Sequence, residues 1–202
     1  MRRTHYKATR PDGTDFRTGT IKYEVGATVT HPSAKRVKGD PSTYLSVSTV
    51  PTDCTGFSWP CRLFEVEGVG RPLTATDLPN KRCFSSVRVI EERPAHEVFG
   101  PQGEQVVAVI DRADRLTAGE AKRLGAAWGA AWGAARDAAW DAARDAALGA
   151  AARGAAAWGA AWDAARDAAW DATLAYLVRD LITVEQFDQL TGPWLSVTGE
   201  AT

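Results

Sequence analysis

The stretch at residues 124–174 is written largely in a four-residue unit, Ala-Ala-X-Z, and no other feature limits the fold of this chain as strongly. Position X holds Trp, Arg or Leu, and position Z holds Gly or Asp. Alanine has the highest helix propensity, and a strand of this composition would expose alanine on both faces with little β-branched packing. The repeat therefore predicts a helix.

An internal duplication lies within the repeat, because residues 126–142 match residues 156–172 at every position except Gly133, which aligns with Asp163. A period of four exceeds the 3.6 residues of a helical turn, so the Trp and Arg stripe winds around the helix. One straight partner cannot cover such a stripe. We expect a right-handed wrap of helices, several partners around one helix, or a break near 149–154 that gives an antiparallel hairpin.

The tryptophans of the repeat are the predicted interaction residues. They are Trp128, Trp132, Trp140, Trp158, Trp162 and Trp170. Each aromatic side chain can bury roughly 150–250 Å², which is too much apolar surface for an isolated helix to leave in water. We therefore expect a homo-oligomer formed through the repeat, or a helical partner gripped by it.

The region before the repeat has the pattern of strands and turns. Candidate strands rich in Val, Tyr, Phe and Thr lie at 4–9, 21–25, 44–50, 61–67 and 86–91. Farther along, an apolar stripe at 106–110 fits one packed helix slightly better than a strand.

Two capping boxes mark helix starts near the ends of the repeat. Thr117 with Glu120 predicts a helix that begins at Ala118, and Thr183 with Gln186 predicts a second, short helix. We expect the short helix to end at residues 191–193. Its predicted anchors are Phe187, Leu190 and Trp194.

These patterns predict an α+β fold, with a small strand-rich N-terminal domain followed by a long Ala/Trp-rich helix or helical hairpin. The predicted domains are an α+β N-terminal domain at 1–116, an alanine-rich tetrad-repeat helical segment at 117–182, and a short capping helix and tail at 183–202.

Charge and hydropathy exclude two classes of partner. The formal net charge of −1 argues against a general nucleic-acid or anionic-membrane binder, which needs an excess of Lys and Arg. A nucleic-acid contact through basic residues of the N-terminal region is a third possibility; these residues are Arg2, Arg3, Lys7, Lys35, Arg36 and Lys38. The uncharged run at 124–135 is shorter than the roughly 20 apolar residues of a spanning helix, so we expect no membrane span.

The cysteines indicate a reducing compartment. Cys54, Cys61 and Cys83 are odd in number, and the N-terminus has no secretion-signal pattern, so we expect a cytoplasmic protein. Neither the cysteines nor the histidines have metal-ligand spacing. We expect neither a metal nor a cofactor.

Two further stretches carry a resemblance. They are residues 44–67 (YLSVSTVPTDCTGFSWPCRLFEVE) and residues 177–194 (LVRDLITVEQFDQLTGPW). Together with the repeat, they resemble uncharacterised proteins of actinobacteria and their phages that join a small mixed domain to Ala-Ala-Trp/Arg-Asp repeats. The resemblance implies an actinobacterial or phage source and, for a phage protein, a host protein target in the host cytoplasm. It implies no activity.

A second resemblance is to ADP-ribosyltransferases. The residues that carry it are Ser46 and Ser48, Glu65 and Glu67, and either Arg10 or His5 on the first strand. It implies an NAD-using transferase, in which a carboxylate holds a ribose hydroxyl and stabilises an oxocarbenium-like centre as nicotinamide leaves. The sequence departs from that pattern at Val47, which replaces a Thr, and in its short spacing between Ser48 and Glu65. Without the resemblance, each pair consists of alternate residues on one strand face.

The sequence therefore predicts a non-enzymatic binding or assembly protein that acts through its repeat. A small ADP-ribosyltransferase-like enzyme is the alternative, with Ser46, Ser48, Glu65 and Glu67 as its candidate catalytic residues.

Overall fold

The computed structural model describes residues 4–34, 43–73, 78–130, 139 and 163–199 of the chain. The chain divides into two compact units, Met1–Val98 and Phe99–Thr202. The described strands lie in the first unit, and the described α-helices lie in the second.

An antiparallel sheet forms the first unit. Its strands, within the described residues, are β1 Thr4–Thr9, β2 Thr28–Thr30, β3 Leu45–Ser48, β4 Arg62–Val69, β5 Lys81–Phe84 and β6 Ser86–Arg93. Their order is β2-β6-β4-β1-β3-β5. The first strand therefore lies inside the sheet, between β4 and β3.

The connection between β5 and β6 shows that this sheet is curled. In a flat sheet the two strands would lie four strand spacings apart, or roughly 19 Å. Only Ser85 separates them in sequence, and the step from Phe84 to Ser86 spans at most about 7 Å. A Cβ built on Gly68 of β4 would collide with the Phe84 ring, so β4 and β5 also approach each other. The sheet therefore bends until β5 and β6 form one nearly continuous strand.

The core of the first unit lies against this curled sheet. It consists of Tyr23, Val29, Leu45, Val47, Phe64, Val66, Phe84, Val87 and Val89. Phe64 and Val66 of β4 are 0 % exposed and alternate with the half-buried Glu65 and Glu67, as expected for a strand with one buried face.

Most of the predicted strands are confirmed. The strand at 4–9 is β1, and those at 44–50, 61–67 and 86–91 correspond to β3, β4 and β6 with shifted ends. The prediction at 21–25 is wrong. In that loop Lys22 forms an isolated bridge with Thr14, and the Tyr23 side chain enters the core. The patterns do not reveal β2 and β5, because three or four residues are too few for alternation to stand out.

The second unit is helical. Its described α-helices are α1 Gly103–Ala113, α2 Ala118–Ala130, α3 Asp163–Leu177 and α4 Val184–Thr198. The predicted helix at 106–110 is confirmed, and α1 buries Val106, Val109 and Ile110. Helix α3 packs against α1, α2 and α4.

Both capping boxes are confirmed. The Thr117 hydroxyl accepts a hydrogen bond from the Glu120 amide at 3.2 Å, and the Glu120 carboxylate accepts one from the Thr117 amide at 2.9 Å. The same reciprocal pair joins Thr183 and Gln186 at 3.2 and 2.9 Å. Local backbone chemistry sets both helix starts.

The predicted fold class is wrong in one part, the long Ala/Trp-rich helix or helical hairpin. The two described ends of the repeat lie in α2 and α3, helices of 13 and 15 residues that pack against each other and against α4. The physical reason is that each end packs onto helices of the same unit: Ala168, Ala169 and Ala172 of α3 are 0 % exposed, and so is Leu124 of α2. The fold is α+β, with a six-stranded antiparallel sheet followed by helices.

The last helix is longer than predicted. Helix α4 continues through Pro193 to Thr198, so the predicted end at 191–193 is wrong. Proline removes one amide donor, and burial of Trp194 favours continuing the helix past it. The anchors are confirmed: Leu190 and Trp194 are each 1 % exposed, and Phe187 packs against the cluster that contains Leu190. Among the described helices, none combines the length and apolar character needed to cross a membrane.

Candidate functional site

A cavity of about 340 Å³ lies in the first unit. Its walls come from β1, β3 and β5 and from the loops at 15–23 and 54–56. Volumes of this size are typical of small-molecule sites. Charged and hydroxyl-bearing residues in the wall make this cavity the candidate site; among them are Lys7, Asp15, Arg17, Tyr23, Ser48 and Lys81.

The limited pairing of β1 with β3 leaves room for this cavity. In the register of the described residues, β3 meets β1 at Tyr6 and Ser48, whereas β4 pairs with β1 from Thr4 to Thr9. Next to this short contact, the Lys7 side chain bridges the two strands and donates a hydrogen bond to the Ser46 carbonyl oxygen at 3.3 Å. Side chains from the surrounding loops enclose the remaining space.

Lys7 is a half-buried cation in the cavity wall. Burial lowers its pKa, and the Asp15 carboxylate opposes that shift. Its ammonium lies 5.6 Å from the centre of the Tyr23 ring. An ammonium has three N–H donors, and among the described residues Lys7 uses one, to Ser46. The other donors are available to a ligand.

Lys81 is the second cation of the cavity. Its ammonium lies 2.8 Å from the Ser48 hydroxyl oxygen and also donates to the Asp53 carbonyl. Burial lowers the pKa of Lys81. Ser48 is 2 % exposed and also interacts with the Cys54 thiol, whose pKa is raised by burial. Cys54 is therefore a neutral thiol rather than a thiolate nucleophile.

Asp15 holds one loop of the cavity in place. Its carboxylate accepts hydrogen bonds from the Thr18 amide at 2.7 Å, the Thr18 hydroxyl at 2.6 Å and the Ile21 amide at 3.1 Å. Burial acts to raise the pKa of Asp15, but these hydrogen bonds outweigh it and the pKa lies below its usual value. Because its carboxylate already accepts three hydrogen bonds, Asp15 is not a free ligand-binding group. It shapes the cavity wall and supplies a negative charge near Lys7.

Tyr23 adds a buried hydroxyl to the cavity wall. The residue is 0 % exposed, and its hydroxyl has no hydrogen-bond partner among the described residues. Burial, followed by the nearby Asp15 charge, raises the pKa of this phenol, so it stays protonated. Buried polar groups in proteins are nearly always hydrogen-bonded. An unused donor here is what a ligand acceptor would satisfy.

The structure separates the candidate catalytic residues. Ser46 and Ser48 line the cavity, whereas Glu65 and Glu67 are not part of its wall. In the sheet register Tyr6 lies between Ser48 and Glu65, which puts them two strand spacings, or roughly 10 Å, apart.

The candidate first-strand residues also lie outside the cavity wall. His5 is buried with its ring edge-on to Phe84, and Arg10 donates to the Phe16 carbonyl at 3.1 Å. The transferase alternative therefore stays a prediction from the sequence.

Sequence reasoning missed the lysines and Tyr23 as members of a site. It treated Lys7 as part of a basic surface, yet Lys7 lies opposite the fully buried Phe64 in the sheet register, so both side chains share a sheet face. A lysine at a core-facing position of an alternating strand is the signal that could have revealed the site.

The predicted interaction residues fall into two groups. Trp128 and Trp170 are half-buried, and the Trp128 indole donates to the Asp171 carboxylate at 3.1 Å. The remaining four, Trp132, Trp140, Trp158 and Trp162, lie outside the described residues.

Within the described ranges, no group of three or more His, Cys, Asp or Glu could hold a metal ion. Comparisons with protein-family models, curated proteins and solved structures give no match to this chain.

Proposed function

We propose that the first unit binds a small organic anion in the cavity beside Lys7. One observation carries this proposal: the Lys7 ammonium lines the cavity, and among the described residues its hydrogen bonding is limited to the Ser46 carbonyl. A half-buried ammonium with unused donors favours an anionic ligand, since charge-assisted hydrogen bonds are about twice as strong as neutral ones.

The charge of the cavity supports the same class of ligand. Lys7 and Lys81 lie in the wall with the exposed Arg17, and Asp15 is the carboxylate among the lining residues. That carboxylate is already engaged in its loop. The net charge of the wall is therefore positive. Burial lowers the pKa of Lys7, and a bound anion would raise that pKa again. Protonation of Lys7 and binding of the anion would therefore favour each other.

The rest of the wall favours a ligand with an apolar or aromatic body. Phe16, Ile21, Leu45 and Leu78 line the cavity together with three tyrosines. Apolar and aromatic walls with a few placed polar groups are typical of small-molecule sites. We therefore propose a carboxylate or phosphate attached to a small ring or aliphatic chain.

We expect replacement of Lys7 by methionine to weaken binding of benzoate or phenyl phosphate about tenfold or more, because a charge-assisted hydrogen bond contributes roughly 1.5–3 kcal/mol. Methionine keeps the length and apolar stem of the side chain. Isothermal titration calorimetry at constant ionic strength measures the effect, with benzyl alcohol as the neutral ligand.

Lys22→Met is the matched control. Lys22 is exposed, pairs with Glu24 at 2.6 Å and does not line the cavity, so its loss should leave the affinity unchanged. Equal weakening in both variants, or no binding of either anion to the wild-type protein, would overturn the proposal.

We also propose, from the sequence, that the chain assembles through its repeat, either with copies of itself or with a helical partner, which is a host protein if the source is a phage. The six repeat tryptophans and the internal duplication support this proposal. Three buried, unpaired thiols support a reducing cytoplasmic setting for it.

Light scattering on the full-length chain over a concentration series tests self-assembly. We expect a molar mass that is a multiple of the chain mass, because the proposed association is between copies of the repeat. A mass equal to one chain at every concentration would contradict self-assembly.

A further inference from the structure

We infer that Ser48 is a nucleophile and Lys81 its general base, and that the pair cleaves small anionic esters in the cavity. The inference rests on the proposed function, since that function supplies the substrate class. The observation that supports the inference is a short distance. The Ser48 hydroxyl oxygen and the Lys81 side-chain nitrogen lie 2.8 Å apart, and both residues line the cavity.

The sheet holds this pair in place. Ser48 of β3 and Lys81 of β5 are directly opposite each other in the antiparallel register, so their side chains leave the same sheet face. Both residues are on strands rather than on loops. The nucleophile and the base are therefore in contact before a ligand arrives.

A third group orients the base. Lys81 donates to the Asp53 carbonyl as well as contacting Ser48. In its neutral form the amine keeps two N–H donors, one of which serves Asp53, and its lone pair can accept the Ser48 proton. A nucleophile within hydrogen-bond reach of a base that is itself oriented is the usual arrangement for covalent catalysis. Burial of Lys81 increases the neutral fraction that this step requires.

Other wall residues supply positive charge and a hydrogen-bond donor. Lys7 and the protonated Tyr23 hydroxyl line the same cavity. They can hold the anionic group of the substrate or the negative charge that develops on an ester oxygen. The cavity thus combines a nucleophile, a base and donors for an anion.

The proposed reaction consumes one water for each ester. The Ser48 oxygen bonds to the carbonyl carbon of the ester while the hydroxyl proton passes to Lys81. The bond from that carbon to the alkoxide oxygen then breaks, and the leaving alkoxide takes the proton from Lys81. Water then attacks the acyl-serine, giving a proton to Lys81 that returns to Ser48 as the carboxylic acid leaves.

A neutral fluorophosphonate probe tests the nucleophile independently of anion binding. We expect intact-protein mass spectrometry to detect one adduct, and peptide mapping to place it on Ser48. Ser48→Ala should lose the adduct, whereas Ser86→Ala should keep it, since Ser86 lies on β6 and its hydroxyl contacts Thr30 at 2.9 Å. An adduct elsewhere, or none, would overturn the inference.

Lys81→Arg tests whether the base acts chemically or only structurally. Arginine keeps a cation and donors for Ser48 and Asp53, but it cannot be deprotonated near neutral pH. We expect labelling to slow at least about 100-fold with the melting temperature nearly unchanged. In the wild-type protein the labelling rate should rise with pH. Equal labelling rates in wild type and Lys81→Arg would make the pair a structural contact and refute the inference.

Two measurements on the wild-type protein, calorimetric binding of benzoate and fluorophosphonate labelling of Ser48, separate this inference from the proposed function. Anion binding without Ser48 labelling in the wild-type protein would refute the catalytic pair alone, and labelling without anion binding would refute the proposed ligand class alone.

Discussion

Replacing Phe64 with alanine is expected to lower the free energy of unfolding of the first unit by about 3–5 kcal/mol. Phe64 is 0 % exposed and belongs to the core formed with Leu45, Val66 and Phe84. Alanine would remove buried apolar surface and leave a void that the curled sheet cannot close. Urea denaturation followed by far-ultraviolet circular dichroism measures the loss.

Val69→Ala is the control for this prediction. Val69 lies on the same strand but is 41 % exposed, so its truncation should cost less than about 1 kcal/mol. A loss below about 1.5 kcal/mol for Phe64→Ala would mean that β4 is not the centre of the core.

Replacing Asp15 with alanine is expected to destabilise the first unit by about 2–3 kcal/mol, since hydrogen bonds to a charged group contribute roughly 1.5–3 kcal/mol. Asp15 is 4 % exposed, and its carboxylate accepts from two amides and one hydroxyl of its own loop. Truncation would leave the Thr18 and Ile21 amides without their acceptors. The same denaturation experiment measures this loss.

Asp12→Ala is the matched control for Asp15. Asp12 makes a similar turn, accepting from the Thr14 amide at 2.9 Å and the Thr14 hydroxyl at 2.7 Å, but it is exposed. Water can replace those bonds, so a much smaller loss is expected. Similar losses at both positions would show that burial does not strengthen the Asp15 bonds.

The pH dependence gives a second test of Asp15. Because its pKa in the folded protein is lowered, its stabilising effect is complete above the unfolded pKa of about 3.9 and is lost as the pH falls through the folded value. The stability difference between wild type and Asp15→Asn should therefore shrink on acidification below about pH 4. A stability difference that stays constant between pH 6 and pH 2 would contradict the lowered pKa of Asp15.

Local patterns in the sequence predict much of the sheet but not all of it. β1 and β4 follow from residue alternation, which records which face is buried. The run at 21–25 has the composition of a strand, yet it lies between Gly19 and Gly26, which have φ angles of 69° and 84°. These turns direct Tyr23 into the core from a loop, and strand propensity cannot distinguish the two outcomes.

The helical unit shows the same limit. The capping boxes at Thr117 and Thr183 each join residues three positions apart, so a stretch of four residues is enough to predict them. The repeat also predicts helix correctly in α2 and α3. Helix propensity does not say which surfaces pack together, however, and the contact between Trp128 and Asp171 joins residues 43 positions apart.

The candidate site was the least predictable part. Ser48 was selected through a resemblance, and nothing in its neighbourhood in sequence pointed to Lys81, which lies 33 positions away. The cavity forms because β3 lies between β1 and β5, and strand order is a property of the whole chain. No short motif contains this information.

The curled sheet also limits how copies of this chain can associate. Unpaired strand edges promote aggregation and strand addition because their amides and carbonyls are free to pair with another chain. Here the outermost strand on one side, β2, has three residues, and on the other side the Leu73 amide already donates to the Cys83 carbonyl of β5 at 2.7 Å. Continuation of β5 into β6 removes a further pair of strand ends. The sheet is thus protected against edge-to-edge polymerisation, so the self-assembly that we propose for the repeat would use contacts between side chains rather than strand pairing.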